Sequence, residues 1–230
     1  MIVAPYENEY RADDSEILIC PSGAVSYRDE RPDDRTVEGI LLRRWAGEPG
    51  GPRRWGEHHT RRQVAAMEFL WCAGCGGRPD VDRRGMLWVL PAARVRPAGS
   101  PAGPLLVAMP PLCRADAVRA LRACEELRDG AVALRVTEAE VVGVRGTVYA
   151  GAGGTGRALG GQPRDEVVLF GDPRVRRVVA DQLIREITRA EIDHTTLSAL
   201  TDGPVPPLPL PLPQIAEADD EDAPEQHHHP

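Results

Sequence analysis

The chain contains no lysine, and all 28 of its basic residues are arginine. We read that absence as the codon bias of a GC-rich genome, so the pairs Arg43-Arg44, Arg53-Arg54 and Arg61-Arg62 carry little evidence of selection for guanidinium chemistry. Aromatic residues make up only 4% of the 230 residues against 42% apolar overall. The interior must therefore be built mainly from Val, Leu, Ile and Ala. No apolar run approaches the roughly 18–20 residues of a membrane span, and residues 1–14 show neither a basic nor an apolar leader segment. Those absences predict a cytoplasmic protein that does not engage a membrane. In a reducing compartment the C-x-x-C at Cys72 and Cys75 reads as metal-binding or redox-active before a structural disulfide. No G-x-S-x-G, no H-E-x-x-H and no persuasive carboxylate pair is present.

The net charge of −7 is unevenly spread. Glu217, Asp219, Asp220, Glu221, Asp222 and Glu225 all follow Asp202 in a segment without Arg, leaving 28 Arg against 29 acids in residues 1–202. A near-neutral body lacks the basic footprint of a DNA-binding domain.

Residues 16–20 and 24–27, joined by Pro21-Ser22-Gly23, read as a hairpin, and residues 37–42 as a further strand. Residues 43–59 are dense in Gly, Pro and Arg and read as a loop. Thr60 is placed to cap a helix carrying Val64, Met67 and Trp71. Strands are expected at 85–90 and 104–107, paired across a Pro/Gly/Ala connection. A helix is expected over 115–127, with Val118, Leu121 and Cys124 on one face and Arg119 directed elsewhere. Residues 131–136, 141–144 and 147–150 read as a meander, with another strand at 166–170. Asp172 and Pro173 then suit the start of a helix whose stripe is Val175, Val178, Val179, Leu183, Ile184 and Ile187. From Gly203 the prolines at 204, 206, 207, 209, 211 and 213 impose polyproline II. That run reads as a stiff spacer, although such runs also dock in aromatic grooves. Residues 203–230 read as a disordered tail in which His227, His228 and His229 bear no specific role.

Two short clusters carry the chemistry. Cys72 and Cys75 flank Ala73-Gly74, and Cys113 and Asp116 follow after 37 intervening residues. Thiolates at that spacing can face one ion across a tight turn, and residues three apart share one helical turn. The four predict a structural zinc site, with His58, His59 or water as rivals to Asp116 for the fourth position. Cys124 lies about 16 Å along a helix from Cys113 at 1.5 Å per residue, so Cys124, like Cys20, is expected to be a core thiol. A Cys72/Cys75 redox couple is a weaker reading, because no thioredoxin-like pattern surrounds it. Gly151-Ala152-Gly153-Gly154-Thr155-Gly156 matches G-x-G-x-x-G, but the following Arg157-Ala158-Leu159-Gly160-Gly161-Gln162-Pro163 suits no helix, so it reads as a strand connection.

Over about residues 60–127 the chain resembles HNH-type endonucleases, whose treble clef runs from a C-x-x-C knuckle through a hairpin to a Cys-bearing helix. The matching strand is Leu87-Trp88-Val89-Leu90-Pro91 and the matching helix Leu112-Cys113-Arg114-Ala115-Asp116-Ala117. Leu87 and Trp88 stand at that family's acidic and general-base positions, Ala108 near its Asn, and Ala117 at its last His, which implies loss of nuclease chemistry. The whole chain also resembles a group of uncharacterised proteins of GC-rich Gram-positive bacteria, through Leu70-Trp71-Cys72-Ala73-Gly74-Cys75, Pro110-Pro111-Leu112-Cys113, Val132-Ala133-Leu134-Arg135-Val136 with Val142-Gly143-Val144-Arg145-Gly146, and Asp172-Pro173-Arg174-Val175. That group usually has Cys at the position of Asp116, which implies a metal role there.

The expected architecture is α+β: N-terminal strands and loop (1–57), a treble-clef-like zinc unit (58–128), a β-meander packed on a C-terminal amphipathic helix (129–202), and a Pro-rich acidic tail (203–230). The expected function is a non-catalytic, zinc-stabilised accessory protein with a protein partner, contacted through the 43–59 loop. One alternative is a divergent enzyme, a hydrolase or biosynthetic accessory using His58, His59 or His194. The other is nucleic-acid binding through residues 43–62.

Overall fold

The computed structural model describes residues 2–95, 105–149, 154–155 and 165–202. The expected tail at 203–230, with its prolines and histidines, lies outside the described residues, as does most of the Gly151–Gly156 motif. In chain order the strands are β1 (Tyr10–Arg11), β2 (Ile17–Ile19), β3 (Val25–Tyr27), β4 (Leu41–Leu42), β5 (Trp45–Ala46), β6 (Val81–Asp82), β7 (Gly85–Pro91), β8 (Leu105–Val107), β9 (Ala131–Val148), β10 (Gly154–Thr155), β11 (Asp165–Leu169) and β12 (Val178–Ile192). The α-helices among the described residues are α1 (Thr60–Glu68), α2 (Arg114–Ala123) and α3 (His194–Asp202). The protein is thus mixed α and β, with a curled sheet at its centre.

That sheet is organised by β9 and β12, which pair antiparallel along nearly their whole length, from Val148 opposite Val178 to Leu134 opposite Ile192. Each long strand changes outer partner partway along. β9 pairs with β7 over its first part and β11 over its second, while β12 takes β4 in parallel near its start and β8 later. The sheet draws strands from all three segments 1–57, 58–128 and 129–202. Smaller sheets join β1 to β5, and β10 to the β2–β3 hairpin.

Two expectations are corrected here. Residues 131–148 form one continuous strand where a meander was expected, because Gly143 and Gly146 allow close approach without breaking the strand. A Cβ on Gly146 would lie 2.2 Å from the Val179 carbonyl oxygen, so only glycine lets β12 approach here. The amphipathic helix expected after Asp172 is absent. Asp172 does cap a turn, its Oδ1 accepting from Arg174 N at 2.8 Å, but that turn is a 3₁₀ segment ending at Arg177, and β12 follows. β12 is buried on both faces as far as Ile187: Val178, Ala180 and Leu183 enter one apolar cluster, Val179 another and Ile187 a third. Four register shifts against β9 interrupt the two-residue alternation. The sum imitates a helical stripe.

The shorter elements keep close to expectation. β2 and β3 form the hairpin, whereas the strand expected at 37–42 is confined to Leu41–Leu42. α2 ends at Ala123, and a 3₁₀ turn completes the segment to Leu127. β8 pairs with β12, so the expected β7–β8 hairpin is replaced by the tight β6–β7 hairpin.

α1 starts at Thr60 with His59 at its N-cap; Thr60 Oγ1 accepts instead from Trp45 Nε1 at 3.0 Å. α1 is clamped to the sheet by Gln63, fully buried, whose amide donates to the carbonyls of Ala108 (2.7 Å) and Leu183 (3.0 Å) and accepts from Leu183 N (2.9 Å). Its C-terminal carbonyls receive Arg185, which donates to Met67 O at 2.9 Å. β7 is buried on both sides: Leu87 and Val89 face the knuckle and α2, while Trp88 and Leu90 face Val107, Leu134 and Ile187. This doubly covered strand and α1 hold the segment between them, residues 69–80, against the core.

Candidate metal centre

The chain leaves α1 through Leu70, the one described non-glycine residue with positive φ (53°), and Trp71 N still bonds back to Ala66 O at 3.0 Å. The knuckle closes immediately after. Cys72 N donates to Gly77 O and Gly76 N to Cys72 O, both at 2.8 Å, with Gly76 at φ 73°. Two other stretches fix this turn. Ala73 N donates to Pro111 O at 2.9 Å, binding it to the approach to α2, and Ile2 N donates to Gly74 O at 2.6 Å. Cys113 is the N-cap of α2, and Asp116 lies in its first turn.

These contacts bring together the four residues singled out by spacing. One ligand atom from each of Cys72, Cys75, Cys113 and Asp116 lies within 4.8 Å of the others, and the group could hold a metal ion. Cys72 and Asp116 are buried, while Cys75 and Cys113 are half-buried. Asp116 Oδ2 accepts from the Cys72 and Cys113 thiols at 3.3 and 3.2 Å. Amide donors point at sulfur: Cys113 N to Cys72 Sγ at 3.2 Å, Gly74 N to Cys72 Sγ at 3.4 Å, and Asp116 N to Cys113 Sγ at 3.5 Å.

The site chemistry follows from these neighbours. The Cys72 hydrogen bond, helped by the α2 N-terminus, lowers the Cys113 thiol to about 7 despite burial. Cys72 is pushed up by the same bond and by burial, and Cys75 by burial. Burial opposes ionisation of Asp116, but donors from Cys113, Cys72 and Arg119 outweigh it and hold the carboxyl below its usual range. Three sulfurs and one carboxylate oxygen are a donor set suited to a tetrahedral divalent ion of borderline softness.

Two participants were not visible from spacing alone. A Cβ on Gly74 would lie 2.1 Å from Asp116 Cγ, so glycine is required for the carboxylate to reach the knuckle. Arg119, expected to point away, donates from Nη1 to Asp116 Oδ1 at 2.5 Å, fixing which oxygen faces the thiols. Its three-residue spacing from Asp116 was the available signal.

The rival ligands lie elsewhere. His58 Nε2 sits 3.2 Å from Met109 Sδ, and His59 stacks on Trp45 with centroids 4.9 Å apart. His194 is exposed at the start of α3. Cys124, half-buried, packs against the cluster around α2, and Cys20 is half-buried beyond β2. At the HNH-like positions, Leu87, Ala108 and Ala117 are buried, and the buried Trp88 donates its indole N–H to Met109 O at 2.8 Å.

The arginines of the 43–62 stretch point to partners within the fold. Arg43 meets Asp181 (2.9 Å), Asp14 and Thr147. Arg44 pairs with Asp29 and Asp34, Arg61 with Asp33, and Arg62 with Glu9. Arg53 donates to Ala4 O at 2.6 Å and stacks on Tyr6; Arg54 pairs with Glu57. The loop itself is tied back through β5 and β1. No described helix is long and apolar enough to cross a membrane. No protein-family model, curated protein or solved structure matches the chain.

Proposed function

We propose that the protein is a non-catalytic, zinc-stabilised accessory protein that binds another protein. The observation that carries the metal half of this reading is the convergence of four donor atoms within 4.8 Å, from a knuckle and a helix N-terminus that lie far apart in sequence. Cys72, Cys75, Cys113 and Asp116 would hold the ion, and zinc bound there would contribute to folding rather than to reaction, since four protein ligands complete a tetrahedron. The order of knuckle, β6–β7 hairpin and α2 supports a treble-clef-like unit, and the side chains at Leu87, Trp88, Ala108 and Ala117 supply no general base, in keeping with an HNH-like scaffold without nuclease chemistry.

The protein-partner half rests on exposed apolar side chains in a near-neutral body. Trp55, Phe69 and Val81 remain 54%, 63% and 48% exposed, while the arginines of the 43–62 stretch, which a phosphate backbone would need, are paired within the fold.

The test is metal content of the full chain purified without added zinc, beside Cys72→Ser and Cys113→Ser. Close to one zinc per chain, lost in both variants with a fall in melting temperature, is expected. A folded, reduced and metal-free chain would overturn the reading and turn attention to Cys72 and Cys75 as redox thiols. For the partner, retention at high salt is expected; retention that collapses with salt and with nuclease treatment would replace it with nucleic-acid binding.

A further inference from the structure

Phe69 and Trp71 project from the exit of α1, their rings stacked with centroids 5.0 Å apart and planes 26° from parallel. Phe69 is 63% exposed, the most exposed aromatic side chain among the described residues. Burying apolar surface is favourable, so leaving a ring of that size in water sacrifices stability unless something covers it. Leu70 between them adds a second cost. A leucine at φ 53° is strained, and such strain persists where the surroundings impose it and clusters at functional positions. Its effect is specific: Leu70 turns inward against the cluster of Trp88, Leu90 and Val107, and Trp71 anchors against the knuckle core. The flanking rings are thereby held as a short surface ladder.

Ladders of aromatic rings recognise polyproline II, because proline rings pack flat on aromatic faces and the preformed helix loses little entropy on docking. The chain carries a sequence of matching composition. Residues 204–213 contain six prolines, with Leu208, Leu210 and Leu212 alternating between them. The segment begins two residues after α3, whose Leu197 and Leu200 pack in the same apolar cluster as Trp71. At about 3.1 Å per residue, ten residues in polyproline II would span about 31 Å.

We propose that the Phe69–Trp71 pair is a docking platform for polyproline II and that its occupant is residues 204–213 of the same chain. The platform holds whether or not the four-ligand site binds zinc. An outside partner would reach the rings only by displacing the segment.

The experiment uses the full chain with Phe69→p-benzoylphenylalanine, a change the exposed ring tolerates, followed by irradiation and mapping of the adducts by mass spectrometry. Adducts at Leu208, Leu210 or Leu212 within one chain are expected. Their yield should fall about fivefold, the loss of roughly 1 kcal/mol, when Pro206, Pro209 and Pro211 are all replaced by Ser in the same full chain. Mixing isotopically heavy and light chains separates the sources. Heavy–light adducts would overturn the same-chain occupant in favour of a second copy. Adducts confined to residues 1–202, no adduct, or a yield unchanged by the serine substitutions would overturn the platform.

Discussion

Asp116 and Asp193 are both buried carboxylates at the start of a helix, and they are satisfied in opposite ways. Asp193 caps α3, its Oδ1 accepting from Thr196 N at 3.0 Å, while Oδ2 accepts from Arg135 Nε at 2.9 Å and Arg84 Nη2 at 2.7 Å. Arg135 is itself buried and reaches Asp80 at 2.7 Å. This region supplies its own cations. Around Asp116 there are three thiols and one guanidinium among the described residues, so thiol deprotonation there would add negative charge beyond what Arg119 offsets. A buried charge must be paired or coordinated; one helix start does it with two arginines, and the other gathers a donor set that could also hold a metal ion.

The sharpest way to break this comparison is Asp193→Ala. It deprives Arg135 of its most buried carboxylate partner, leaving only the more exposed Asp80 and Asp82, and should cost about 3–5 kcal/mol in urea denaturation, with metal content unchanged. Loss of metal in that variant would mean that the two regions are not independent. Next in size is Gly74→Ala. The added Cβ must displace the Asp116 carboxylate, and we expect about 1–3 kcal/mol of overpacking together with a 10–100-fold weaker metal affinity, on the order seen when a ligand's supporting contacts are removed. Competition with a chelator measures it; unaltered affinity would remove Asp116 from the ligand set.

Acid separates a third, half-buried group from both. Burial, with Arg62 adding to it, lowers His59 to about 4. The folded state holds the ring neutral, so its contribution is intact above the ordinary 6.5 and is lost as pH falls towards 4. The Asp193 carboxyl is held below its ordinary 3.8 against burial by Thr196, Arg135 and Arg84; its contribution is present above about pH 4 and lost only below that. A ring titration of His59 by NMR should give a midpoint near 4, and His59→Gln should flatten the stability profile between pH 6.5 and 4. A midpoint at 6.5 would show the ring to be solvated. The smallest effect is Cys124→Ser, within about 1 kcal/mol and without loss of metal, because Cys124 lies outside the four-atom group.

Cys72, Cys75, Cys113 and Asp116 were legible because two-residue and one-turn spacings are local geometry. The Arg135–Asp193 and Arg43–Asp181 pairs were not, since their partners stand 58 and 138 residues apart and no local pattern marks which of 28 arginines will be buried. The β12 strand was misread for a related reason. Its β-branched residues Val178, Val179, Ile184 and Ile187 favour a strand, but burial on both faces and the register shifts hid the two-residue period.

The sequence by itself determined the short hairpin at β2–β3, the two halves of the cysteine cluster, and the scarcity of aromatics that makes the exposed Phe69 informative. Those depend on spacing, turn residues and composition. Tertiary structure alone decided that residues 178–192 extend instead of coil, that Gly74 admits Asp116 to the thiols, and which arginines face carboxylates. Each of these depends on what lies across the sheet or beyond the next loop, and backbone pairing and burial between distant segments override local preference wherever they compete.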